Sequence, residues 1–177
     1  MMKTAGYILL LLLLGSCNAI RVNYDYDKAT DFSNYTTFNY YPDMDTGLSE
    51  LDNKRLFRVL DIALQSKGLV FSEEPDFLIN IQSSTFQTPR NSNVGLGVGG
   101  GGGNVGGGVS IGIPVGRANL ERQIQFDFVD NQKDMLFWQA ISESSFREDA
   151  SPQERELKLK EIVEKVLSKY PPKIKGK

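Results

Sequence analysis

From Leu120 to Phe128 the chain alternates, with Leu120, Ile124, Phe126 and Phe128 set against Glu121, Gln123, Gln125 and Asp127. That two-residue period marks a strand with one buried and one wet face. Phe77, Ile79 and Ile81 alternate with Asn80 and Gln82 in the same way after Pro75-Asp76. Asp130-Asn131-Gln132-Lys133-Asp134 reads as a hairpin turn, and Met135 to Phe146 as the returning partner strand. Earlier, Val22, Tyr24 and Tyr26 predict a first strand. Asp31-Phe32-Ser33-Asn34 predicts a turn, and the aromatic and β-branched run Tyr35 to Tyr41 a second strand.

Two segments carry the helical period instead. Leu51, Leu56, Leu60, Ile62, Ala63 and Leu64 give a broad apolar face, with Ser49 placed as an N-cap three residues before Asp52 and Gly68 as the stop. Leu159, Ile162, Val163, Val166 and Leu167 give a second apolar stripe. Ser151-Pro152-Gln153-Glu154 opens it: serine caps, proline takes the first helical position, and glutamate can reach back to the cap. Pro171-Pro172 ends it. Hairpin-joined strands with two helices long enough to cover one face predict an α+β fold. The expected form is a single two-layer sandwich, mainly antiparallel, with two helices packed on one face and a glycine-rich hairpin excursion.

The N-terminus follows neither period. One lysine, Lys3, precedes an unbroken apolar run from Ile8 to Leu14, too short for a spanning helix, which takes about 20 residues. A basic start, a brief apolar stretch and small residues at its exit describe a secretory signal over residues 1–16. The exit Leu14-Gly15-Ser16-Cys17 resembles the lipobox of bacterial lipoprotein precursors. The resemblance implies lipid transfer to the Cys17 sulfur, cleavage before Cys17, and acylation of the new amino terminus, palmitate being the usual chain. Residues 17–21 then form a lipidated tether. Each buried methylene contributes about 0.8 kcal/mol, so several chains anchor a protein durably to a bilayer. Asn18 follows the cysteine instead of aspartate, which in the enterobacterial sorting pattern favours the outer membrane. The lack of acidic residues in Asn18-Ala19-Ile20-Arg21 favours its periplasmic face.

Composition narrows the chemistry. The chain's one cysteine is committed to lipid on this reading, leaving no disulfide. A net charge of −2 with no basic run argues against nucleic acid as partner. Histidine is absent, which removes the imidazole general base, the Ser-His-Asp and Cys-His arrangements, and the commonest zinc ligand. No cofactor and no metal are expected.

Several pieces together resemble the DUF4136 family of bacterial lipoproteins, a family of unknown function. They are Asp31-Phe32-Ser33-Asn34-Tyr35-Thr36-Thr37-Phe38, Ala63-Leu64-Gln65-Ser66-Lys67-Gly68 and Pro75-Asp76-Phe77-Leu78. The strand Ile124 to Asp130, its partner Leu136-Phe137-Trp138-Gln139-Ala140, and the closing helix to Tyr170-Pro171 follow in order. The likeness spans residues 22–172, followed by a basic tail, 173–177. Asn39 departs from the further aromatics frequent in the family. The resemblance carries no catalytic residues.

The candidate sites are few. Residues 93–116 hold twelve of the 17 glycines, and Gly95, Gly97 and Gly100 match a dinucleotide spacing. That fingerprint needs a helix after it, whereas Val109, Ile111 and Ile113 alternate like a strand. A glycine-rich hairpin tip is the better account, with docking of its apolar residues on a membrane or protein as the alternative. Tyr24, Tyr26, Tyr35, Tyr40 and Tyr41 form a candidate binding surface for a glycan, peptide or lipid, against the simpler reading of cross-strand packing. Trp138 reads as core. Asp43 and Asp45 resemble a calcium-loop fragment, but Lys54 stands where the loop needs glutamate. Asp25 and Asp27 are no better ordered, and Asp31 reads as the cap of its turn. Glu73, Glu74 and Asp76 read as a solvated loop. The expectation is a membrane-anchored envelope protein, bound to the bilayer through acylated Cys17, serving as a non-enzymatic binding or structural module for an envelope protein or glycan. The alternative is a carboxylate-dependent hydrolase of cell-wall material.

Overall fold

A computed structural model describes residues 20–88 and 119–173. The strands are β1 (Arg21–Tyr26), β2 (Thr37–Tyr40), β3 (Val70–Phe71), β4 (Phe77–Thr88), β5 (Asn119–Asp130) and β6 (Met135–Ser145). The helices are α1 (Glu50–Ser66) and α2 (Pro152–Leu167), and a single 3-10 turn covers Phe32–Asn34. The strands make one six-stranded open sheet in the order β1-β6-β5-β4-β2-β3. The first four in that order pair antiparallel, whereas β2 runs parallel to both β3 and β4. The α+β two-layer expectation therefore holds, with a short parallel margin that alternation alone does not reveal.

The helix ends form for the reasons the sequence suggests. Ser49 accepts from the Asp52 amide. Ser151 and Glu154 close a reciprocal capping box with Pro152 in the first turn. Gly68, at φ +85°, turns the chain out of α1 where a β-carbon would be strained. Asp31 accepts from the Ser33 amide and starts the 3-10 turn.

The core lies between the inner face of the sheet and both helices. Phe38, Phe77, Ile79, Ile81, Ile124, Phe126, Phe128 and Trp138 are fully buried, opposite Leu56, Leu60, Leu64, Val163 and Val166. A bulge sits where Phe128 pairs with Trp138 but Val129 pairs with Leu136. The extra residue, Phe137, turns inward beside Trp138, so two consecutive side chains are buried. Phe137 then stacks flat on Tyr35, with ring centroids 4.0 Å apart.

Helix α1 is rotated from the expected face. Leu51 and Ile62 are 61% and 63% exposed, and Asp52 is buried in the stripe with Leu56, Val59, Leu60 and Leu64. The rotation follows from the partners that Asp52 finds on α2 and β5, described below. The helices run side by side in the same direction. Arg155 reaches Asp52 near their starts, and the Lys67 ammonium donates to the Tyr170 carbonyl at their ends, 2.8 Å away.

Candidate functional site

Both helices begin at one end of the core, and that end is polar. Asp52, with 2% of its side chain exposed, receives hydrogen bonds from Arg55 at 2.8 Å, Arg155 at 3.0 Å and Arg122 at 3.4 Å. Arg55 lies one turn on in α1, Arg155 in the first turn of α2, and Arg122 on the inner face of β5. Arg122 also lies over the Phe146 ring, 3.5 Å from its centroid, and its buried Nε has no hydrogen-bond partner among the described residues. Arg155 is tied further to the carbonyls of Ala150 and Glu148. Burial alone would raise the Asp52 pKa. The Arg55 hydrogen bond and the charges of Arg155 and Arg122 outweigh it, holding the carboxyl below its ordinary value.

This carboxylate is ionised and its oxygens are taken, so it is a tie between elements and not an acid or base for chemistry. Beside it, a shallow groove of about 310 Å³ runs between the helices, lined by Leu51, Lys54, Arg55, Arg58, Pro152, Gln153 and Glu156. Two of its cations are matched by acids: Lys54 to Glu50 and Arg58 to Glu156, each at 2.7 Å.

Two more displaced acids are structural. Asp130 closes the β5–β6 turn. Burial would raise its pKa, but the Lys133 and Gln132 amides, the Tyr35 hydroxyl and the Lys133 ammonium bring it to about 2. Asp76 is not a solvated loop acid as expected. Its Oδ2 accepts from the Thr36 and Thr37 amides at 2.8 and 2.9 Å, pinning β2 to the start of β4. Asp27 and Asp45 accept from the Ala29 and Gly47 amides, which accounts for both as turn residues.

The five candidate tyrosines do not converge. Tyr24 sits over Trp138 and donates to the Lys165 carbonyl of α2. Tyr26 packs edge-on against Phe32. Tyr35 stacks on Phe137 and donates to Asp130 at 2.8 Å. Tyr40 packs on Phe57 and donates to Asp61 of α1. These four spend their rings on the fold, and Tyr24, Tyr35 and Tyr40 their hydroxyls as well, as the packing reading expects. Tyr41 differs: burial, then the Asp134 and Asp127 carboxylates, push its pKa up, which sets it beside the opposite face of the sheet.

That opposite face carries no helix among the described residues, and a lattice of amides and acids. Asn80, Asp127, Gln139 and Asp25 stand in one cross-strand row, with Gln82, Gln125, Ile141 and Asn23 in the next. Gln139 and Gln125 donate to the two oxygens of Asp127 at 2.7 and 2.9 Å. Sequence reading found Asn80, Gln82, Gln125 and Asp127 only as the wet half of an alternation. Their side-by-side arrangement needed the register. Amide groups both donate and accept, so such a surface offers hydrogen bonds of both senses. Cys17, Leu14, Gly15, Ser16 and the glycine-rich residues 93–116 lie outside the described residues.

An open, mostly antiparallel sheet with two helices on one face defines a two-layer α+β domain. The chain belongs to the family described as "Domain of unknown function (DUF4136)", whose profile matches residues 22–172. Among solved structures it is similar to a PDZ domain protein from Parabacteroides distasonis, 18% identical with a TM-score of 0.53, over 86% of this chain and 35% of that one. The chain thus spans about a third of that protein's length, and the likeness is one of fold. A PelC dodecamer from Paraburkholderia phytofirmans is 9% identical at a TM-score of 0.46, over 85% of this chain and 96% of that one. A search of curated proteins gives no match.

Proposed function

We propose that this chain is a lipid-anchored protein of the bacterial envelope, and that its domain binds another envelope component, protein or glycan, without catalysing a reaction. The observation that carries the reading is how the polar groups divide. Asp52, Asp76 and Asp130, whose carboxyl pKa values folding lowers, are each locked to named partners in the fold. The sheet face opposite the helices, by contrast, offers Asn80, Gln82, Gln125, Asp127 and Gln139 outward. The anchor rests on Leu14-Gly15-Ser16-Cys17 after the apolar run. Asn18 after the cysteine supports the outer membrane as the location, and the lack of acidic residues in Asn18-Ala19-Ile20-Arg21 its periplasmic face.

The test is crosslinking in intact cells followed by mass spectrometry, with a photoreactive residue at Gln125, in native and Cys17→Ala backgrounds. Palmitate labelling is followed in the same strains. The reading predicts label on the native protein alone, and a discrete partner crosslinked from the sheet face. Equal labelling of Cys17→Ala, or no partner from Gln125, sinks it.

A further inference from the structure

Turning Asp52 into the core leaves Leu51 at the surface, 61% exposed. Leu51, Lys54, Arg55 and Arg58 recur at helical spacing and share one flank of α1. That flank meets Gln153 and Glu156 of α2 across the groove, on the helical layer and away from the amide-rich sheet face. Charge is uneven there. The groove's cations Lys54, Arg55 and Arg58, with Arg122 and Arg155 that share Asp52, stand against three bonded acids, Glu50, Asp52 and Glu156. Asp149 and Glu154 nearby are bonded to Arg147. The groove and its backing are thus positive in a chain whose net charge is −2. Burial lowers the Arg122 pKa more than Asp52 raises it, and the charge of Arg155 adds to the lowering.

We propose that this groove is a second binding site, which takes an acidic segment of a partner protein, its carboxylates on Lys54, Arg55 and Arg58 and an apolar side chain on Leu51. The cations are within reach of such a ligand. Lys54 and Glu50 are 69% and 82% exposed, and Arg58 and Glu156 56% and 46%. Exposed ion pairs contribute little to stability, so incoming carboxylates can take the places of Glu50 and Glu156 at small cost. Guanidiniums hold planar carboxylates through paired N–H groups, which suits aspartate and glutamate side chains. Shape selects among anions. A small anion in an open, shallow groove would leave much of its surface in water, whereas a small-molecule site buries most of its ligand. A flat bilayer surface does not reach Arg55, of whose side chain 16% is exposed. An acidic polysaccharide would bring the charge but no apolar group for Leu51.

The experiment uses the whole chain, as the cell makes it, in mild detergent. Fluorescence anisotropy follows a labelled peptide that alternates glutamate with leucine, and its counterpart with glutamine for glutamate. The glutamate peptide should bind at least tenfold more tightly. Lys54→Gln and Arg58→Gln should each weaken it at least threefold, with circular dichroism showing the fold intact. Glu156→Gln frees Arg58 and should tighten binding at least twofold, a gain that damage to the fold would not produce. Lys28→Gln makes the same charge change at an exposed position outside the groove and should leave binding unchanged. Equal affinity for the two peptides, binding of neither, or a loss in Lys28→Gln as large as in Arg58→Gln overturns the site. Displacement of the peptide by inorganic phosphate or polygalacturonate at lower concentration than by unlabelled peptide overturns the choice of occupant.

Discussion

Replacing Asp52 with asparagine keeps the shape of the side chain and removes the charge that three guanidiniums share. Arg55, Arg122 and Arg155 have 16%, 14% and 24% of their side chains exposed, so all three sit largely out of water. Breaking a buried pair from one side costs about 3–5 kcal/mol, because the partner charge stays behind uncompensated. Water reaches part of Arg55 and Arg155, which places the expectation near the lower bound, about 3 kcal/mol. For a domain of this size, about 2–4 °C per kcal/mol gives a fall in Tm of about 6–12 °C. Thermal and urea unfolding of the chain from Asn18 onward, followed by circular dichroism, reads this directly. Arg122→Met in the Asp52→Asn background should recover part of the loss, because it removes the most buried of the stranded charges. A Tm change of Asp52→Asn below about 2 °C would refute the reasoning, as would strict additivity of the pair.

Acid should weaken the fold in a defined window. Asp130, Asp52 and Asp76 all have carboxyl pKa values lowered by folding, Asp130 to about 2. A lowered folded value gives stability that is complete above the unfolded value, about 3.9, and lost as pH falls through the folded one. The urea midpoint should therefore drop between about pH 4 and pH 2, and Asp130→Asn should flatten that drop by about 2 kcal/mol. Tyr35→Phe keeps the stack on Phe137 but strips the hydroxyl from Asp130, and should cost about 1–2 kcal/mol in the same urea titration. Gly47→Ala should destabilise more than Gly68→Ala. A β-carbon at Gly47 would lie 2.6 Å from the Ser83 carbonyl oxygen, whereas Gly68 faces open space, and both have positive φ. Left-handed strain alone accounts for about 1–2 kcal/mol at each, so equal Tm losses for the two would contradict the close approach at Gly47.

The elements that could be read from the sequence are those decided by neighbours in the chain. The Ser151–Glu154 box, the Ser49 cap, the Gly68 stop and the alternation through Phe126 and Phe128 are all local, and all stand in the structure. What escaped depends on distant partners. Asp52 reads as a third helical residue until Arg122 and Arg155, 70 and 103 positions away, are brought to it. Turning Asp52 inward moved Leu51 and Ile62 out. The two-residue strand Val70–Phe71 and its parallel pairing carry no periodic signal, because two residues cannot display a period. The tyrosines could be read by type but not by use. Only packing shows that Tyr24, Tyr35 and Tyr40 point their hydroxyls at a carbonyl or an acid of the fold, while Tyr41 turns to the other side.

The outer edge of β1 faces no other strand among the described residues. An edge of this kind invites pairing with another chain. Charged side chains blunt such an edge, and Asp25 stands along it with Arg21, which Glu121 and Glu143 hold at 3.1 and 3.3 Å. The Asp25 carboxylate also occupies the Tyr26 amide at 2.9 Å, withdrawing a donor from the edge. A second chain adding itself to β1 would meet charge and a spent donor before it met a ladder, so crowding need not become aggregation.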